Sequence, residues 1–411
     1  MKRKILLYSD CFTFGGSEYV AVNILKSKTL QNDFDLFFAY RYHEEYQCYL
    51  DKIFTIEEQK KFFPLKLFSN DDFFYFLNRK IKNNIIRYFC KFPFYLLDTL
   101  GVYYSLNRRI FNSLLNSHDF DLIHINNGGY PAAKTCLQLA ICAHRYNIKN
   151  ILQINNRAVP CQFNKLDQTV QESVTFFLTA TEYAKQELAL NRHFDLAKIT
   201  TLYNAVDIPI ISTSPKKVRK LLNIDLDSFV LIEVALLQER KGQIQLLQSL
   251  LFLKEINPKL FSKIRLILIG NGENEKKIRD FIKENKLNDK VFMLGYKMDY
   301  ANYINAADLV LLPSTKDEDM PLTILSSMAL SKPIISTNIA GIPEEVVDGY
   351  NGYLVNPDTK TFSADLGKCI EKAYDNISSL GINSYERYKT YFTRDIYDNK
   401  LKHLYYFAFM H

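Results

Sequence analysis

The chain has 411 residues, 47% of them apolar and 24% charged, with a net charge of +7. That is the composition of a folded protein with ample core in two or three domains, and it excludes a disordered or low-complexity chain. Seven scattered cysteines (Cys11, Cys48, Cys90, Cys136, Cys142, Cys161, Cys369) with no C-x-x-C pair exclude a disulfide framework and a zinc ribbon, and are expected as small core residues.

The opening MKRKILLYSDCF is basic, but its apolar run 5–8 is too short for a signal-peptide core and reads as a buried first strand. No stretch approaches the ~20 apolar residues that span a bilayer. A cytoplasmic protein is expected.

Short β-type runs then alternate with helical patterns. In the first half they cover residues 4–8, 35–39, 121–125, 151–154 and 175–179; in the second, 229–235, 265–269, 291–294, 309–312 and 333–336. The alternation predicts an α/β protein of two Rossmann-like, doubly wound domains facing a cleft. Residues 207–217, with Pro209, Pro215 and the cluster Ser212-Thr213-Ser214, read as the linker. The expected organisation is an N-terminal domain 1–207, a C-terminal domain 208–390, and a last helix, 391–411, returning to the first domain.

Residues 60–110 break the alternation and read as a helical insertion. Ten Lys/Arg stand there against three acids, an excess equal to the net charge of the whole chain. Phe62, Phe63, Phe68, Phe73, Phe74, Tyr75, Phe76, Phe89, Phe92, Phe94 and Tyr95 are interleaved with them. Three readings stay open. The aromatics pack on the first domain under solvated charges, or the segment meets an anionic membrane surface, or it meets nucleic acid.

Several loops carry chemistry. Gly15-Gly16, in the segment Asp10 to Glu18, lies between the first strand and a helical pattern at 19–26, where glycines let backbone amides approach a ligand. Lys241, in Gln238-Glu239-Arg240-Lys241-Gly242, sits at a strand-to-helix turn, where a lysine neutralises a departing phosphate; Arg240 is adjacent but is expected to point differently. Glu318 follows the strand at 309–312, Pro321 occupies an expected first helical position, and residues 322–330 continue helically. Such a helix start offers unpaired amides to a diphosphate. Asp317-Glu318-Asp319 has only the outward form of a D-x-D metal motif. His124 is expected to end a strand.

These loops resemble those of the family 4 retaining glycosyltransferases (glycosyl transferases group 1, GT-B fold). The stretch from Glu318 is similar to the family's Glu-x7-Glu region, with Ser326 where the second Glu stands, and Lys241-Gly242 is similar to its Lys-Gly element, with Leu236 and Ala235 where an arginine is usual. Gly15-Gly16-Ser17-Glu18 resembles its Gly-Gly-x-Glu loop, and Ile269 to Gly272 and Val291 to Lys297 resemble its nucleotide-side strands and loops. The resemblance implies catalytic roles for Glu318 and Lys241. It implies donor binding by Gly15, Gly16, Arg240, Gly272, Tyr296, Lys297, Pro321, Leu322, Thr323 and Ser326. Asn156 and Arg157, where many members carry a histidine, are expected at the acceptor.

The implied activity is transfer of a sugar from a nucleotide-diphospho-sugar to a glycan or lipid-linked acceptor in surface polysaccharide assembly, with no metal, no other cofactor and no nucleic acid. Residues 60–110 are one candidate for a peripheral contact with the inner face of an anionic membrane. The alternative is a catalytically impaired binding or partner subunit.

Overall fold

Strands covered by helices on both faces read as continuous apolar runs, and two all-parallel sheets of such strands organise the chain. The structure, a computed structural model, describes residues 2–11, 15–160 and 165–410. Phe12, Thr13 and Phe14 of the first glycine loop, and Cys161, lie outside the described residues, as do the side chains of Asp72, Tyr75 and Arg79. Contacts divide the chain into two units. The first runs up to Ala180 and adds Lys185–Leu202 and the residues from Asp398 onwards; the second comprises Thr181–Ala184 and Tyr203–Tyr397.

In the first unit the strands are β1 (Arg3–Ser9), β2 (Phe34–Arg41), β3 (Phe62–Leu65), β4 (Leu122–Asn127), β5 (Lys149–Ile154), β6 (Phe176–Thr179) and β7 (Ile199–Thr201). Among the described residues they form a seven-stranded sheet in the order β3-β2-β1-β4-β5-β6-β7. β1 and β4 lie at its centre, and the helix Lys134–Arg145 buries an almost continuous apolar surface against them. The helix Arg394–Met410 packs against a different set of residues of this unit. Tyr405 packs edge-on against Phe34 at 5.4 Å and meets His124 Nδ1 through its hydroxyl at 2.7 Å, while Asp398 Oδ2 accepts from Ser27 Oγ at 2.6 Å.

Three expectations are corrected, the third reaching into the second unit through Cys369. Residues 62–65 are strand, paired with β2 from Phe38↔Phe62 to Arg41↔Leu65. Only the remainder of the basic window is helical, in Asn70–Lys80, Asn84–Thr99 and Val102–Ser117. A proline at position 64 disguises the strand, and an edge position tolerates it. His124 lies inside β4 rather than at its end, buried between Tyr405 and Gln153. Cys136 and Cys142 are core residues, but Cys48 is exposed and Cys11, Cys90 and Cys369 are half-buried, against the expectation of a buried set.

The second unit carries β8 (Phe229–Val234), β9 (Ile264–Ile269), β10 (Val291–Met293), β11 (Leu309–Leu312), β12 (Ile334–Thr337) and β13 (Gly352–Val355), in the order β10-β9-β8-β11-β12-β13 among the described residues. The expected linker is tied to this unit. The amides of Ser212 and Thr213 donate to Asn302 Oδ1 at 2.9 and 3.0 Å. Ser214 caps a helix, Pro215–Leu221, with Pro215 in its first turn. Pro321 is the N-cap of the helix Leu322–Ala329 rather than its first residue, with φ −70° and ψ 116°.

Candidate functional site

β8 and β11 are neighbours in the second sheet, yet the chain leaves them in opposite directions, to β9 on one side and β12 on the other. Open parallel sheets bind ligands beyond the carboxyl ends of two such strands. After β8 comes a 3-10 turn, Glu239–Lys241, then Gly242 and the helix Gln243–Ile256. Gly242 has φ +77°, and a Cβ there would stand 2.1 Å from the Pro313 carbonyl oxygen. Only glycine fits that turn and that approach. The Thr315 amide donates to the Arg240 carbonyl at 2.7 Å, so the loops after β8 and β11 are locked together.

This locking brings Lys241, Glu318 and Arg240 into one cluster. Lys241 Nζ donates to Glu318 Oε1, which also accepts from Ser314 Oγ at 2.7 Å. Arg240 Nη1 stands 3.6 Å from the same oxygen and donates to the Asp317 carbonyl at 3.0 Å. Arg240 was expected to point elsewhere; its backbone hydrogen bond to Thr315 turns it toward the Glu318 loop. Lys241 is 9% and Glu318 6% exposed. Two cations around one shielded carboxylate form a preorganised place for anionic oxygens.

The acidic triplet does not act together. Asp317 has φ +57°, and Asp319 Oδ1 accepts from Thr181 Oγ1 at 2.5 Å. Among the described residues no group of three or more His, Cys, Asp or Glu side chains gathers with metal-ligating geometry.

Pro321 leads into the helix Leu322–Ala329, whose first amides include those of Leu322 and Thr323. Thr323 Oγ1 lies 3.5 Å from the Val234 carbonyl oxygen, which holds the helix start against the end of β8. Ser326 is buried within this helix. Gly272 follows β9, where a Cβ would stand 2.2 Å from the Leu237 carbonyl oxygen. Asn271 Oδ1 accepts from the Tyr296 amide at 3.0 Å, stitching the loops after β9 and β10. Tyr296 is exposed and Lys297 half-buried.

Two acids escaped the sequence reading. Glu233, in β8, is 1% exposed, and its Oε1 accepts from Gln243 Nε2 at 2.8 Å while Oε2 is buried without a partner. Burial pushes its carboxyl up to about 8, with Glu318 adding to the rise and Lys241 and Gln243 opposing it. Glu345, in the short helix Ile342–Glu345, is fully buried with neither carboxyl oxygen partnered. Burial raises its carboxyl well above the ordinary range, and the charges of Glu318, Asp319 and Glu344 add to that. A single acid inside an apolar strand run was the signal for Glu233.

Gly15, Gly16, Asn156 and Arg157 belong to the first unit. Gly15 caps and Gly16 opens the helix Gly16–Lys26, and nothing lies within 4 Å of a Cβ at Gly16. Glu18 behind them is buried, accepting from Ser9 Oγ at 3.1 Å and Ser17 Oγ at 2.7 Å; burial raises its carboxyl. Asp10 pairs with the buried Arg41 at 3.3 Å, a contact that the sequence did not announce. Asn156 is exposed, and Arg157 Nε donates to Glu187 Oε2 at 2.7 Å in a two-pronged ion pair.

Comparison with known proteins adds the following. Residues 215–387 match the family model of glycosyl transferases group 1. The chain is similar to a D-inositol 3-phosphate glycosyltransferase of Paenarthrobacter aurescens, 24% identical over 236 residues that cover 56% of this chain and 57% of that protein. It is also similar to a UDP-Gal:alpha-D-GlcNAc-diphosphoundecaprenol alpha-1,3-galactosyltransferase of Escherichia coli, 28% identical over 46% of this chain and 49% of that one. The matched part spans about half the length of these curated relatives. Among solved structures, Anabaena HepE in complex with UDP superposes with a TM-score of 0.73 at 17% identity, over 98% of this chain and 99% of that one. A glycosyltransferase from Rickettsia africae superposes with a TM-score of 0.75 at 15% identity, over 99% and 98%. The fold is that of the GT-B glycosyltransferases.

Proposed function

We propose that this chain, which matches the glycosyl transferases group 1 model over residues 215–387, is a retaining glycosyltransferase. It would move a sugar from a nucleotide-diphospho-sugar to a glycan or lipid-linked acceptor in surface polysaccharide assembly. The observation that carries this reading is the buried Lys241–Glu318 pair beyond β8 and β11, with Arg240 and the first turn of Leu322–Ala329 beside it. Neighbours that hold UDP, and a relative whose name includes a UDP-sugar, support a donor of this class.

The bond that breaks joins the anomeric carbon to a diphosphate oxygen. Lys241, Arg240 and the amides of Leu322 and Thr323 meet the charge that grows on that oxygen. Once the phosphates take up Lys241, the carboxylate of Glu318 is free to accept from sugar hydroxyls. Tyr296 and Lys297 lie toward the base, and Gly272 and Ser326 toward the ribose. Gly15 and Gly16, at a helix start with open space around Gly16, are an anion-accepting backbone position of the first unit. Arg157 has to yield its bond to Glu187 before it can hold an acceptor.

The test is nucleotide release from UDP-, GDP- and ADP-sugars by wild type and Glu318→Ala, with and without chelator. Release that ignores chelator and needs Glu318 is the expected result; wild-type turnover by Glu318→Ala would refute the assignment. The second reading, an impaired binding subunit, draws on the exposed Leu236 in place of an arginine and on Glu318 occupying Lys241. It predicts no nucleotide affinity.

We place the protein peripherally on the cytoplasmic face of a membrane. Among the described residues no helix is long and apolar enough to cross one. The helix Asn84–Thr99 buries none of its residues, and Ile85, Ile86, Tyr88, Phe89 and Phe92 are each more than half exposed. Residues 73–97 hold five Lys/Arg and no acid. An exposed apolar helix face in a segment with five Lys/Arg and no acid suits an anionic bilayer interface. Neutralising Arg79, Lys80, Lys82 and Arg87 should abolish co-sedimentation with phosphatidylglycerol liposomes, and equal binding would remove the idea.

A further inference from the structure

We propose that Glu233 is a positioning residue for the donor phosphates, a buried carboxyl that has to remain protonated for Lys241 to pass from Glu318 to the diphosphate. The inference rests on the donor-site reading above and deepens it by adding a regulator of phosphate affinity.

Three observations converge on it. β8 buries Phe229, Val230, Leu231 and Ile232, so Glu233 continues an apolar run into the floor of the site with 1% exposure. Gln243, from the helix Gln243–Ile256, supplies one donor to Oε1 and divides its amide between that oxygen and the Leu236 carbonyl at 3.1 Å. Oε2 has no partner and no water-exposed surface. An ionised oxygen left in that condition is costly, whereas a protonated one is tolerated.

The charged groups that bear on Glu233 are Lys241 from the 3-10 turn and Glu318 from the loop after β11. Lys241 therefore interacts with two acids, Glu318 in direct contact and the buried Glu233 through its charge. If both were ionised, Lys241 would be held back from an incoming phosphate; with Glu233 protonated, only the exchangeable contact to Glu318 has to be given up.

The direction of the pH dependence follows. Burial already holds the Glu233 carboxyl near 8 in the free protein, with Lys241 pulling it down. A bound diphosphate draws off the Lys241 charge and adds negative charge of its own, so proton affinity at Glu233 rises further. The complex then binds more protons than the free protein above about pH 8, and nucleotide affinity must fall as pH rises through that range. A diphosphate has lost its last proton well below this window, so its own titration does not contribute.

The experiment is calorimetric titration of the full chain with UDP, GDP and ADP at about pH 7 and about pH 8.5, in two buffers of different ionisation heat. Wild type should lose roughly two- to fourfold in affinity across the interval, with proton uptake on binding. Glu233→Gln, which keeps the size and lacks the titration, should bind equally at both pH values with no proton uptake, close to the wild-type value at the lower pH. Thermal melts check that the variant is folded. Binding by wild type without a slope, or an unchanged slope in Glu233→Gln, would overturn the role of Glu233 and leave the donor site standing. No nucleotide binding by wild type at either pH would overturn the donor site, and this inference with it.

Discussion

Lys241 and Glu318 are 77 positions apart in sequence and share a hydrogen-bonded ion pair in which each side chain is largely shielded from water. Removing one member of such a pair strands the other. Lys241→Ala should cost about 3 to 5 kcal/mol of stability and abolish nucleotide binding. The double variant Lys241→Met with Glu318→Gln should recover much of the stability and none of the binding. Urea unfolding of wild type, Lys241→Met, Glu318→Gln and the double variant checks this; additive losses in the double variant would mean that the two groups are not coupled.

Gly242 offers a test in which no charge changes. Alanine there has to adopt φ near +77° and place its Cβ 2.1 Å from the Pro313 carbonyl oxygen. The strain should cost about 1 to 3 kcal/mol and separate the loops that bring Lys241 to Glu318. Turnover should fall further than stability does. A Gly242→Ala protein with wild-type melting and turnover would show that the turn is more pliable than its geometry indicates.

Glu345 is a buried acid with no donor for either oxygen. Its folded carboxyl titrates well above that of the unfolded chain, because of burial first and then the charges of Glu318, Asp319 and Glu344. The folded protein therefore holds that proton to higher pH than the unfolded chain does, and stability is lost as pH rises from about 4.5 upward. Glu345→Met should raise stability by about 1 to 3 kcal/mol at pH 7 and by less near pH 4.5. Denaturant midpoints at the two pH values decide it; an equal gain at both would assign the effect to packing alone.

His124 reports on the first unit with the opposite sign. Burial holds its imidazole down at about 4, against the partial support of Gln153, while an unfolded histidine titrates near 6.5. Between those values only the unfolded chain takes up the proton, so stability falls as pH drops from about 6.5 toward 4, by up to roughly 3 kcal/mol. His124→Gln should flatten that fall. A variant whose urea midpoint drops as steeply as that of wild type would place the acid sensitivity elsewhere.

The central strands were legible because burial on both faces makes them apolar throughout, as in 229–235 and 309–312. β3 was not, since Pro64 and its basic surroundings speak against a strand, and only the open edge beside β2 accommodates it. β7 has three residues, two of them threonine, and β13 begins with Gly352, too little apolar pattern to register. In the site, Lys241 and Glu318 stood out as residue types at turns, but their contact and the turning of Arg240 depend on β8 and β11 lying side by side. Glu233 was hidden because local pattern treats a lone acid in a buried strand as noise, and Glu345 because beside Glu344 it reads as one of a pair of solvated acids at a helix start.

The packing of Arg394–Met410 into the first unit bears on how the chain is made. Phe34, Ser27 and His124 receive Tyr405 and Asp398 only after the whole second unit has been synthesised. At ~5 to 20 residues per second, those ~200 residues leave the first sheet with an uncovered apolar face for roughly 10 to 40 s. A fragment limited to the first 207 residues would stay in that condition permanently, so the N-terminal half is the one expected to need a chaperone and to precipitate when expressed alone.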